Sequence, residues 1–119
     1  MNVKRVYLAG PMSGIPLFNF PAFHKYAAEL RSKGYTVFSP AEKDNERFGK
    51  DISKGNLTGD PKQAIREHGF SLREALAEDL AFICREADAI ALMPGWDKSK
   101  GATAEYYVAI ALNLDRFYL

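Results

Sequence analysis

The sequence predicts a single α/β domain built on a mostly parallel sheet of about four or five strands. Three observations carry this. Short apolar runs at Val3 to Ala9, Tyr35 to Ser39 and Ala89 to Met93 each stop at a proline or a glycine-proline pair. Longer segments rich in helix formers alternate with them. The chain has 119 residues, 47% apolar and 26% charged, which is enough for one core and leaves no room for a second.

Val3 to Ala9 is the first strand, and Gly10 to Asn19 is the loop at its carboxyl end. Phe20 to Lys33 reads as a helix. Pro21 suits its first turn, Phe23, Ala27 and Leu30 form its inner stripe, and Gly34 stops it. Tyr35 to Ser39 is the second strand. From Ala41 to Phe70 the periodicity fails, interrupted by Gly49, Gly55, Gly59 and Pro61, and the stretch reads as a loop or lid that orders over a ligand. The flat alternative is a solvated insertion. A helix over Ser71 to Glu86, a buried strand over Ala89 to Met93 and a helix over Ala102 to Leu112 follow. Arg116 to Leu119 closes the chain as a short strand, its apolar Phe117-Tyr118-Leu119 serving as an inner strand or a subunit contact.

Sixteen basic residues against fifteen acidic ones give a formal charge of +1, so no global field calls for a nucleic acid polymer or an anionic membrane. Cys84 is the only cysteine, expected as a buried structural thiol in a reducing compartment. No long apolar stretch precedes Gly10, so the expected location is cytoplasmic. His24 and His68 have no companions at ligand spacing, and neither a metal nor a cofactor is expected.

The most informative stretch is Gly95 to Tyr107, which places Glu105 in the first turn of the Ala102 helix, just after a glycine loop. Val108, Ala109 and Leu112 share its face, so the acid points toward the sheet. A first-turn carboxylate complementing the helix dipole is the plain explanation. A second acid shares the anomaly: Asp79 sits in the Leu72, Leu76, Ile83 stripe of the preceding helix. A buried Asp caps a neighbouring backbone or lines a cavity. Two inward acids on helices flanking one strand point to a shared cleft, and ligands of parallel sheets sit beyond the strands' carboxyl ends, where the Gly10 and Gly95 loops lie. Asp88 caps or terminates its helix and is assigned no chemistry.

Tyr7-Leu8-Ala9-Gly10-Pro11-Met12, an aromatic-rich helix start, Asp79 and Asp88, and then Ser99-Lys-Gly-Ala-Thr-Ala-Glu105 together resemble the nucleoside 2-deoxyribosyltransferase superfamily, closest to its small phage and bacterial branch DUF4406. The resemblance covers nearly the whole chain outside the insertion. It implies a flavodoxin- or Rossmann-like three-layer sandwich and a bacterial cytosolic, in some cases phage-encoded, protein. It also implies cleavage of the N-glycosidic bond of a deoxynucleoside or its 5′-monophosphate, by hydrolysis or by transfer to another base. Carried over, Glu105 matches the nucleophile, Asp79 the acid near the base, and Tyr7 the hydroxyl beside the nucleophile; alone, Tyr7 reads as an ordinary strand aromatic. Attack needs an ionised Glu105, which a helix N-terminus favours, and an Asp in an apolar wall holds a proton for the departing base. Gly10, Pro11 and Met12 would border the substrate.

The chain departs from the transferases at Ser99, six residues before Glu105, where they tend to have an aspartate. Ser99 and Gly101, with Lys98 or Lys100, would cradle an anion as in the family's nucleotide hydrolases. Yet Met12-Ser13-Gly14 lacks the arginine those enzymes present to phosphate. Trp96 stacks on a base, closes the pocket or anchors its loop. Subunits of the superfamily often complete each other's pockets, so a homodimer or tetramer is expected. Two other classes stay open: a nucleotide-binding or sequestering module without turnover, and an assembly protein displaying Phe18, Phe20 and Phe23 on a flat apolar face.

Overall fold

The structure, a computed structural model, describes residues 4–119. In chain order the elements are β1 (Arg5–Ala9), α1 (Phe20–Ser32), β2 (Thr36–Phe38), α2 (Pro40–Phe48), α3 (Pro61–His68), α4 (Leu72–Arg85), β3 (Ala89–Leu92), α5 (Lys100–Ala111) and β4 (Asp115–Tyr118). The strands form one sheet in the order β2-β1-β3-β4, with every pair parallel.

Alternation along the strands sorts the core into two layers. Val6, Leu8, Ala89 and Ala91 meet Phe20, Phe23, Ala27 and Leu30 of α1, while Tyr7, Ala9, Ile90 and Leu92 meet Ile83 of α4 and Ala102 and Ala109 of α5. The central strands are therefore buried on both faces, which is why they read as continuous apolar runs. The result is a three-layer sandwich of the flavodoxin or Rossmann kind, as the sequence predicts. The chain leaves β1 for β2 on one side, whereas β3 pairs on the other. Their carboxyl ends thus flank a topological switch point, where such sheets open a crevice.

The stretch expected as a lid is different. Pro40 starts α2 where it was read as ending a strand, and α3 follows within the same insertion. Two arginines fasten α2. Arg31 of α1 clamps Glu42 through two hydrogen bonds of 2.6 Å, and Arg47 joins Asp44 at 3.0 Å to Glu78 of α4. Asp60 caps α3 by accepting from Lys62 N–H at 2.9 Å, and Ile52, Ser53, Asn56 and Ala64 are buried. Gly49, one of the glycines that broke the periodicity, caps α2 in left-handed backbone, and Gly69 caps α3 in the same way.

Four finer expectations also change. Leu72 is 67% exposed, because the inner stripe of α4 runs through Ala75, Asp79 and Ile83. Leu112 is exposed, since α5 ends before it and its inner face is Ala102, Glu105 and Ala109. Cys84, one position round the helix from Ile83, is an exposed thiol. Asp88 directly precedes β3, two residues beyond the Glu86 cap of α4; it accepts from Arg5 N–H at 2.7 Å and so helps fix the register of β1. The carboxyl-terminal strand is an edge, with Tyr118 largely exposed. Val3 lies outside the described residues.

Candidate active site

The Gly10 and Gly95 loops, the amino end of α5 and one face of α4 enclose a cleft of 910 Å³ at the switch point. Tyr7, Gly10, Pro11, Met12, Asp79, Ser99, Gly101 and Glu105 all line it. Gly10 passes tight against β3, since a Cβ there would lie 2.7 Å from the Met93 sulfur. Phe18, Phe20 and Phe23 are buried in the core, so they form no exposed contact face. Trp96 is the exception among the sequence-selected residues. Its ring packs on Tyr106 with centroids 4.5 Å apart, outside the cleft lining, so it anchors the loop.

At the floor, Tyr7 Oη donates to Glu105 Oε2 at 2.6 Å, and both side chains are buried. The bond joins the first strand to the last helix. Phe38 stacks on the Tyr7 ring at 5.5 Å and on Phe82 at 4.4 Å, fixing the ring's orientation. α5 begins at Lys100, two residues earlier than the sequence indicates, because Ser99 caps it by accepting from Ala102 N–H at 3.2 Å. Glu105 therefore stands in the second turn, beyond the reach of the dipole stabilisation expected for it.

The electrostatics follow from that position. Burial, reinforced by the negative fields of Asp79 and Asp44, pushes Glu105 up to about 8, with the Tyr7 hydrogen bond acting against the rise. Burial likewise raises Asp79 to about 7, with the charge of Asp44 adding to it. Asp79 Oδ1 is buried without a hydrogen-bond partner among the described residues, a situation that a neutral carboxyl tolerates better than an ionised one. Burial and then the Glu105 charge raise Tyr7 well above its ordinary value, so it remains a hydrogen-bond donor.

Asp44 is the cleft residue sequence reading missed. It is 5% exposed and lines the cleft from α2, raised to about 6 by burial while Arg47 pulls the other way. Asn19 and Phe70 also line the wall. The local signal was weak: Ala41 and Asp44 fall on one face of α2, but that helix is short and polar and was read as loop. Lys98 and Lys100 stand exposed on the rim and supply positive charge beside Ser99. Among the described residues no three His, Cys, Asp or Glu side chains converge in a metal-binding group. No helix among them is long and apolar enough to cross a membrane.

Fold and site together define a parallel α/β domain whose switch-point cleft holds three buried carboxyls and a tyrosine. Residues 4–118 match the family described as Domain of unknown function (DUF4406), and the chain belongs to that family. No curated protein matches the sequence.

Proposed function

We propose that the protein cleaves the N-glycosidic bond of a deoxynucleoside or deoxynucleoside 5′-monophosphate, with Glu105 as nucleophile and Asp79 as proton donor. The observation that carries this is the Tyr7-to-Glu105 hydrogen bond of 2.6 Å on the floor of a cleft that the buried Asp79 also lines. Two carboxyls in one apolar site with opposite tasks are the working parts of glycoside cleavage. The resemblance to the nucleoside 2-deoxyribosyltransferase superfamily supports the same roles.

In the first step a Glu105 carboxylate oxygen bonds to C1′ as the C1′–N bond breaks. The bond's electron pair leaves with the base, which takes the proton of Asp79. Tyr7 donates to the other Glu105 oxygen and holds the attacking one in line. In the second step a water oxygen bonds to C1′, its proton passes to Asp79, and the C1′–O bond to Glu105 breaks, restoring the carboxylate. An acceptor base in place of water makes the same steps a transfer. Lys98 and Lys100 at the rim favour a substrate carrying a 5′-phosphate. The same reading includes a homodimer or tetramer, for which exposed Tyr107 and Ile110 on α5 offer an apolar face.

The alternative is a nucleotide-binding or sequestering protein without turnover. The burial of Glu105 favours it: raised to about 8, the acid is mostly protonated at neutral pH and attacks poorly in that form. Chromatography of free base separates the two readings, using deoxynucleosides and their 5′-monophosphates with and without an acceptor base. The glycosidic reading expects release by wild type and a loss of roughly three orders of magnitude or more in Glu105→Ala. Nucleotide binding without release supports sequestration instead.

A further inference from the structure

A second chamber of 170 Å³ lies beside the cleft and shares Met12, Ser13, Asp44, Phe70 and Leu72 with it. Its remaining wall is apolar: Phe18 from the turn before α1, Phe20 at the start of α1, Ile52, and Pro61, Ala64 and Ile65 of α3. An apolar space of about 150 Å³ is large enough to take a benzene-sized group. The insertion between β2 and α4 builds this chamber, and the residues common to both spaces make it a side branch of the site.

We propose that the chamber is a subsite for a benzene-sized apolar substituent on the substrate's base, attached through a nitrogen that carries a hydrogen. Three features converge on that occupant. The mouth holds the Asp44 carboxyl, of which Oδ1 meets Arg47 at 3.0 Å, and a buried carboxyl at a mouth calls for a donor on the ligand atom passing it. Beyond the mouth the walls reward only apolar contact. The sugar, by contrast, is assigned to the Glu105 end of the cleft, so the base is the part of the substrate left to reach α2 and α3. Substituted bases then gain affinity that unsubstituted ones leave unused.

This inference rests on the glycosidic reading, and the test keeps the two apart. Base release is measured for 2′-deoxyadenosine and 2′-deoxycytidine, and for the same nucleosides bearing a benzyl group on the exocyclic nitrogen. Expected is a kcat/KM for the benzylated forms at least about tenfold above their parents in wild type. That ratio should fall to near one in Ile65→Trp, which fills the chamber from a position 53% exposed and therefore tolerant of change. Ala64→Met, filling it from the buried side, should lower the ratio as well. A wild-type ratio near one, or a ratio that both fillings leave intact, overturns the subsite while parent cleavage still upholds the glycosidic reading. Release from none of the four compounds overturns that reading, and the subsite with it.

Discussion

The hydroxyl of Tyr7 is the smallest part on which the proposed chemistry depends. It donates to Glu105 across 98 positions of sequence, and it is the one hydrogen bond that counters the effect of burial on that carboxyl. Tyr7→Phe should therefore raise Glu105 further, lower kcat about tenfold to a hundredfold, and move the descending limb of the pH–rate profile to higher pH. A profile that keeps its limb in place would show that the hydroxyl only packs. With Glu105 near 8 and Asp79 near 7, the singly protonated pair is most populated between those values; the productive arrangement, with the proton on Asp79 and Glu105 ionised, is a constant minor share of that pair, so activity should peak there and decline on both sides. Glu105, Asp79 and Tyr7 were legible in the sequence because acids on apolar faces and a strand leading into a glycine loop are local patterns. Asp44 was not, since its burial depends on α2 folding back against α4.

At the scale of elements, the loop after β1 is held by long-range bonds. Leu17, Phe18 and Asn19 all have positive φ, a left-handed run that L-residues resist at roughly 1–2 kcal/mol each. What holds it is burial of Phe18, Leu17 N–H donating to Asn56 O at 2.8 Å, and Asn19 Nδ2 donating to Pro11 O at 3.0 Å. Asn56 in turn exchanges two hydrogen bonds with the Asp60 backbone, and Gly14 N–H donates to Gly59 O at 2.8 Å. Gly59 has φ +67°, and a Cβ there would stand 2.1 Å from Ile15 O. Gly59→Ala should cost more than about 2 kcal/mol in chemical denaturation and loosen the Gly10 side of the cleft. An unchanged midpoint would mean that this junction does not hold the loop. The helices α1, α4 and α5 could be read from apolar spacing. α2 and α3 could not, because they are short and polar and their order comes from the two arginine clamps and one buried asparagine, contacts no local window contains.

For the whole molecule, the sheet brings residues from distant parts of the chain to one crevice and buries three carboxyls there, and that has a measurable cost. Each raised carboxyl binds a proton more tightly in the folded chain than in the unfolded one. Stability from this source is complete below about pH 4, declines as pH rises through the folded values of about 6, 7 and 8, and levels off above them. Denaturation midpoints measured from pH 5 to 9 should fall accordingly, and Glu105→Gln should flatten the upper part of that slope; an equal slope in the variant would place the protons elsewhere. The mostly parallel sheet followed from the alternation of elements, whereas the strand order and the second chamber are products of tertiary packing. The central claim is that Glu105 bonds to the sugar. Its most direct test is mass spectrometry of protein quenched after mixing with a 2′-fluoro-substituted nucleoside, whose electron-poor sugar slows release of the intermediate. One glycosyl group mapped to the peptide bearing Glu105, and absent in Glu105→Gln, is the predicted result. Base release without that adduct, or an adduct on another residue, would contradict it.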